Sequence, residues 1–135
     1  MISNCRLFDI RSFEDNRGGL SFIEADIDLP FEIKRIYYLY NTSKNILRGV
    51  HAHKRLEQVL ISFSGSFDVL LFDGVNSQTF TLNKPNIGLY VCPMIWRELT
   101  PLEENSVCTV LASRPYEEDD YIHNRADFLS IVNKS

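Results

Sequence analysis

Runs of branched and aromatic residues, only four to eight long and closely spaced, recur along almost the whole chain. They fall at residues 6–10, 20–24, 33–40, 47–53, 58–63, 66–72, 78–82, 88–91, 96–99 and 107–112. Turn formers separate them: Asp15-Asn16-Arg17-Gly18-Gly19, Asn41-Thr42-Ser43, Ser64-Gly65, Asp73-Gly74 and Lys84-Pro85-Asn86. About ten short strands with no helix between them exclude an alternating α/β fold and require a sandwich, barrel or jelly roll. Only the tail, residues 118–132, reads as helix, with acids in its first turn and Tyr121, Ile122, Phe128, Leu129 and Val132 at mixed helical spacing.

At 135 residues and 15.6 kDa the chain is expected to form one domain, residues 1–135, with a core that needs no staples. A net charge of −4 and a pI near 5.3, with no basic tail, argue against a nucleic-acid partner. The N-terminus lacks a signal-peptide pattern, and no apolar run approaches the roughly 20 residues of a membrane span. The three cysteines, Cys5, Cys92 and Cys108, have no metal or framework spacing and sit in apolar runs, as buried free thiols would. A reducing cytoplasm, away from any membrane, is the expected location.

The chemistry concentrates in Arg48-Gly49-Val50-His51-Ala52-His53-Lys54-Arg55-Leu56-Glu57-Gln58. His51 and His53 stand two apart in a strand, so both imidazoles project from one face. The segment resembles the metal motif of a cupin barrel, in which Gly and His-x-His precede an acidic ligand and a second Gly, here Gly65. The acidic slot holds Gln58, although Glu57 is available in an alternative spacing. The late His of such motifs follows a Pro and a Trp-type aromatic, and the matching run Pro93-Met94-Ile95-Trp96-Arg97 carries Arg97 instead. A guanidinium has no lone pair for a cation. No metal and no other cofactor is expected. Two histidines at a barrel rim can also be ordinary polar residues; the Gly, Gln and Trp-Arg context favours a site. Lys34 and Arg35 with Tyr37, Tyr38 and Tyr40 add cations and aromatic faces suited to phosphate and ring recognition.

Taken together, residues 48–66, the Gly88–Trp96 run, the strand Ile33-Lys34-Arg35-Ile36-Tyr37-Tyr38-Leu39-Tyr40-Asn41 and the closing residues 111–122 resemble the nucleotide-sugar 3,4-ketoisomerases. The resemblance spans nearly the whole chain. It implies a cupin, or double-stranded β-helix jelly roll, with a short C-terminal helix. It also implies a metal-free isomerase acting on dTDP-4-keto-6-deoxyglucose, and a homodimer that exchanges N-terminal strands. Such enzymes serve the synthesis of 3-amino-3,6-dideoxy sugars for bacterial surface glycans (lipopolysaccharide O-antigen or S-layer), upstream of a PLP-dependent aminotransferase.

Moving a ketone from carbon 4 to carbon 3 means removing the proton at carbon 3, passing through an enediolate, and returning a proton to carbon 4. Imidazole, with an ordinary pKa near 6.5, suits both halves of that transfer. The resemblance assigns it to His51, with His53 and Tyr37 orienting the substrate or stabilising the enediolate oxygen. Arg97 supplies positive charge where a metal stands in other cupins. Gln58 is expected to contact substrate, and Arg35 and Arg48 the diphosphate. Within the family, the residues matching Arg17 and Arg97 differ between enzymes giving gluco and galacto products. Arg97 follows the gluco pattern and Arg17 the galacto one. A dTDP-sugar 3,5-epimerase and a non-catalytic sugar-binding cupin are the alternative readings.

Overall fold

The structure is a computed structural model describing residues 2–134. The chain runs through β1 (Arg6–Asp9), β2 (Arg11–Asp15), β3 (Gly18–Phe22), the one-turn helix α1 (Ala25–Asp28), β4 (Arg35–Leu39), β5 (Arg48–His53), β6 (Gln58–Ser64) and β7 (Phe67–Phe72). It continues through β8 (Ser77–Leu82), β9 (Ile87–Val91), β10 (Trp96–Pro101), β11 (Val107–Ala112), a 3-10 turn (Glu118–Asp120), β12 (Tyr121–Ile122) and the helix α2 (Arg125–Val132).

Two five-stranded antiparallel sheets face each other, ordered β1-β9-β6-β11-β4 and β12-β5-β10-β7-β8. From β4 to β11 every connection changes sheet except the β7–β8 hairpin. That winding is a jelly roll, one of the architectures the strand-only pattern allows and the cupin form that the resemblance implies.

Alternation of side chains sorts each strand into an inner and an outer face. Leu60, Val69, Leu71, Leu89, Leu99, Cys108 and Val110 fill the space between the sheets. Val59, Ile61 and Leu111 face outward on the first sheet and are covered by Ile10, Ile23, Leu29, Phe31 and Ile33 from the N-terminal segment. The outer face of the second sheet carries Ala52, Trp96 and Ile122, packed against Phe128, Leu129 and Val132 of α2.

Three local expectations are corrected. Residues 11–15, not read as a strand, pair with β3 as a separate two-stranded hairpin. The helix expected over 118–132 begins only at Arg125, because the Asn124 side chain caps it by accepting from the Ala126 and Asp127 amides. Before that cap, Tyr121 and Ile122 pair with His53 and Ala52 as a strand. Finally, Cys92 is half-buried rather than buried, while Cys5 and Cys108 are buried as free thiols.

A bulge in β5 shapes the barrel beside the histidines. The pairing steps from Arg97↔His51 to Leu99↔Arg48, so two residues of β5 oppose one of β10. Gly49 absorbs the slip at φ +60°, and a Cβ there would lie 3.3 Å from both Arg97 Nη2 and Leu99 Cδ1. Gly49→Ala is expected to cost about 1–2 kcal/mol from the left-handed backbone, read as a lower urea midpoint at unchanged slope.

Candidate active site

Four strands aim polar side chains into one end of the barrel. β5 contributes His51 and His53, β6 its first residue Gln58, β10 Arg97, and β4 Arg35 and Tyr37. Arg97 is the hub, though only 2% of it is exposed. Its Nη1 donates to Gln58 Oε1 at 2.8 Å, and its Nη2 to Tyr37 Oη at 3.0 Å and His51 Nε2 at 2.9 Å. No carboxylate pairs with it among the described residues. Burying an uncompensated guanidinium costs several kcal/mol. A site that carries this cost is built for an anion that arrives later.

These bonds set the histidine tautomers. A guanidinium only donates, so His51 Nε2 accepts and the ring proton of neutral His51 lies on Nδ1. Because Gln58 Oε1 is turned to Arg97, its amide nitrogen faces His53 Nδ1, a long contact at 3.5 Å. His53 therefore presents Nε2–H, and that buried nitrogen has no partner. Three buried side-chain polar atoms lack partners among the described residues: His53 Nε2, Arg97 Nε and Arg35 Nε. Buried polar groups are almost always satisfied. Here all three unsatisfied atoms belong to one cluster.

A metal does not fit this donor set. The guanidinium occupies the lone pair of His51 Nε2 and stands where a late-strand ligand would be needed. Among the described residues no group of three His, Cys, Asp or Glu side chains converges to hold an ion.

Electrostatics hold both imidazoles neutral. Burial first, then the charge of Arg97, pushes His51 down to about 2. Burial, Arg97 and Arg35 push His53 down to about 3. An unfolded histidine takes its proton near pH 6.5, so below that pH the unfolded chain binds more protons than the folded one. Folding stability is thus full above pH 6.5 and falls as the pH drops toward 3, each histidine contributing about 1.4 kcal/mol per pH unit at most. Urea midpoints between pH 4.5 and 7 should show this slope, and the double variant His51→Asn/His53→Asn should flatten it. An unchanged slope in the double variant would place the acid sensitivity elsewhere.

Residues 3–133 match the family model described as FdtA: WxcM-like, C-terminal. The chain belongs to this FdtA family. A curated relative from Aneurinibacillus thermoaerophilus, a TDP-4-oxo-6-deoxy-alpha-D-glucose-3,4-oxoisomerase, is 42% identical over 129 residues, covering 96% of this chain and 93% of its own. Among solved structures, WlaRB from Campylobacter jejuni, a TDP-quinovose 3,4-ketoisomerase, is 46% identical at TM-score 0.90, covering 96% of this chain and 99% of that one. The H51N mutant of QdtA from Thermoanaerobacterium thermosaccharolyticum, in complex with TDP-4-keto-6-deoxyglucose, is 40% identical at TM-score 0.95, covering 99% and 97%.

Within this FdtA-family chain the expected site residues fall into two groups. His51, His53, Gln58, Arg97, Tyr37 and Arg35 converge; Arg35 lies over the rings of Tyr37 and Tyr116 at 5.2 and 5.7 Å. Arg17 and Arg48 do not join them. Arg17, at the hairpin turn between β2 and β3, is 86% exposed and pairs with Asp15. Arg48 lies beyond the Gly49 bulge, exposed, and its side chain makes no hydrogen bond or ion pair among the described residues.

The tail supplies residues that were not expected. Tyr121 packs against His53 and His51 at 4.5 and 5.1 Å between ring centroids and stacks on His123 at 5.3 Å. His123 lies 6.4 Å from His51, so all three histidines of the chain share one mouth. Buried Asp120 anchors the tail by accepting from the amides of Lys54, through its carbonyl, and Arg55, through Oδ1, at 2.9 and 2.7 Å. The Tyr121-x-His123 alternation was the available signal, masked by a helical reading of the same residues.

Proposed function

We propose that this chain is a dTDP-sugar 3,4-ketoisomerase that converts dTDP-4-keto-6-deoxyglucose to a dTDP-3-keto-6-deoxyhexose. The observation that carries the reading is the buried, carboxylate-free Arg97 beside two neutral histidines and three unsatisfied nitrogens. That set suits an enediolate, whose charge appears only during reaction. The chemistry named for the relatives is of the same kind.

When a substrate oxygen offers Arg97 a more basic acceptor, Nη2 leaves His51 and frees its Nε2 lone pair. His51 takes the proton from carbon 3, and electron density moves onto the oxygen at carbon 4. Arg97 and His53 Nε2–H hold that oxygen. Tyr37 accepts from Arg97, so its own hydroxyl proton is free to point at substrate. His51 then returns its proton to carbon 4 as the oxygen at carbon 3 becomes the ketone. The net change is one hydrogen moved between neighbouring carbons and one between their oxygens. Arg35, half-buried beside Tyr37 and Tyr116, is assigned to the diphosphate and Tyr121 with His123 to one wall of the sugar site.

Incubation with dTDP-4-keto-6-deoxyglucose in deuterated water tests the reading. A 3-keto product, with deuterium only at carbon 4 or with internal transfer, is expected. Exchange at carbons 3 and 5 without a 3-keto product would make the protein an epimerase, and neither product nor exchange would make it a binder.

The active assembly in this reading is a homodimer made by exchange of the β2–β3 hairpin. Phe13 and Leu20 on that hairpin are 70% and 60% exposed, and Ile36 and Phe63 on the first sheet's outer face are 58% and 56% exposed. Such surfaces call for cover. Exchange would also bring Arg17 of one copy toward the other, which gives the expected substrate contact a route. Sedimentation at micromolar concentration should give a dimer, and Phe13→Asp a monomer. A wild-type monomer would end the exchange model.

A further inference from the structure

At the far edge of the first sheet, two thiols meet that are 87 positions apart in sequence. Cys5 Sγ and Cys92 Sγ are 3.6 Å apart. They stand just outside the paired strands β1 and β9, whose register aligns Arg6 with Tyr90 and so brings residues 5 and 92 to adjoining strand ends. Cys5 is 7% exposed, while Cys92 is half-buried and reachable from solvent. The sulfurs of a disulfide are about 2.05 Å apart, so the two thiols stand within a short approach of bonding distance. Rotation about the two side chains is the motion that would close the remaining gap.

We propose that Cys5 and Cys92 form an oxidation site that accepts a small disulfide of the glutathione class and closes into an intramolecular disulfide. The thiolate of Cys92 attacks one sulfur of the oxidant, breaking its S–S bond and expelling one thiolate. Cys5 gives its proton to solvent and attacks the Cys92 sulfur of the mixed disulfide, expelling the second thiolate. Two protein thiols lose two electrons and two protons, and the oxidant's disulfide becomes two thiols.

The order of attack follows from the environments. Cys5 is buried and Cys92 only half-buried, so an oxidant reaches Cys92 first. Thiolate character and access together select the attacking sulfur. Cys108 is fully buried and pushed up to about 12 by that burial, so it takes no part.

The crosslink has a mechanical reach. Cys92 is followed by Pro93 and by Met94, which holds φ +62° and donates its amide to the His53 carbonyl at 2.8 Å. Oxidation would therefore fasten the root of the N-terminal strand to the corner that carries His53. This inference rests on the thiol geometry and is independent of the proposed reaction.

The test uses the full chain, reduced and then incubated with oxidised glutathione. Titratable thiols in denaturant are expected to fall from three to one, with a Cys5–Cys92 peptide by mass spectrometry and unmodified Cys108. Melting temperature should rise on oxidation and return with dithiothreitol. Cys5→Ala should stop at a glutathione adduct on Cys92, and Cys92→Ala should remain unlinked at Cys5. Three persistent thiols, a stable Cys92 adduct in the wild-type chain, or a crosslink between two chains would each overturn the proposal.

Discussion

His51→Asn is expected to keep dTDP binding within a few-fold of wild type while slowing ketoisomerisation by about two to four decades, the usual range for a lost acid/base group. Nucleotide affinity comes from contacts remote from the migrating proton, whereas His51 acts where charge develops at carbons 3 and 4. The amide of asparagine can still accept from Arg97, so the hub and the fold should survive. His53→Asn should fall between wild type and His51→Asn, since it removes a donor rather than the base. Calorimetric binding of dTDP alongside single-turnover product formation checks both. Near-normal turnover in His51→Asn with loss in His53→Asn would move the base to the second histidine. Indifference to both would direct the search to Tyr37.

The convergence of His51, His53, Gln58 and Arg97 was readable because it needs only strand periodicity and short spacing. A pair two apart in one strand shares a face, and Gln58 and Arg97 begin or nearly begin strands that the same barrel end collects. Tyr37 and Arg35 followed from the same alternation. The tail was misread for the opposite reason: Tyr121 becomes a strand residue by pairing with His53, 68 positions earlier, a non-local choice that overrides local helical spacing. Arg48 stands apart from the histidines because the Gly49 bulge intervenes, and a bulge depends on the partner strand as much as on its glycine. Arg17 sits at the turn of a separate two-stranded hairpin and pairs with Asp15, so neither spacing nor the fold of the single chain brings it to the histidines.

Arg97→Met should separate stability from function. Turnover is expected to fall by about two to three decades, the loss typical of removing a fixed donor to a developing oxyanion. Stability should stay within about 1–2 kcal/mol of wild type, although truncating a fully buried side chain usually costs more. Two opposed terms lead to that value. The variant removes hydrogen bonds to Gln58, Tyr37 and His51, each worth about 1.5–3 kcal/mol when the donor is charged. It also removes the several kcal/mol needed to bury a guanidinium without a counter-charge, and an unbranched methionine fills the vacated volume without strain. Losing the positive charge next to both imidazoles should raise their protonation range from about 2 and 3 toward the ordinary value, so the acid loss of stability, which still begins near pH 6.5 where the unfolded chain takes up its protons, should end at a higher pH and be smaller in total. Urea unfolding at pH 7 and pH 5, with histidine nitrogen shifts by NMR, measures both effects. A loss above about 3 kcal/mol at pH 7 would mean that the guanidinium stabilises the free protein, and the case for a charge held ready for an arriving anion would fail.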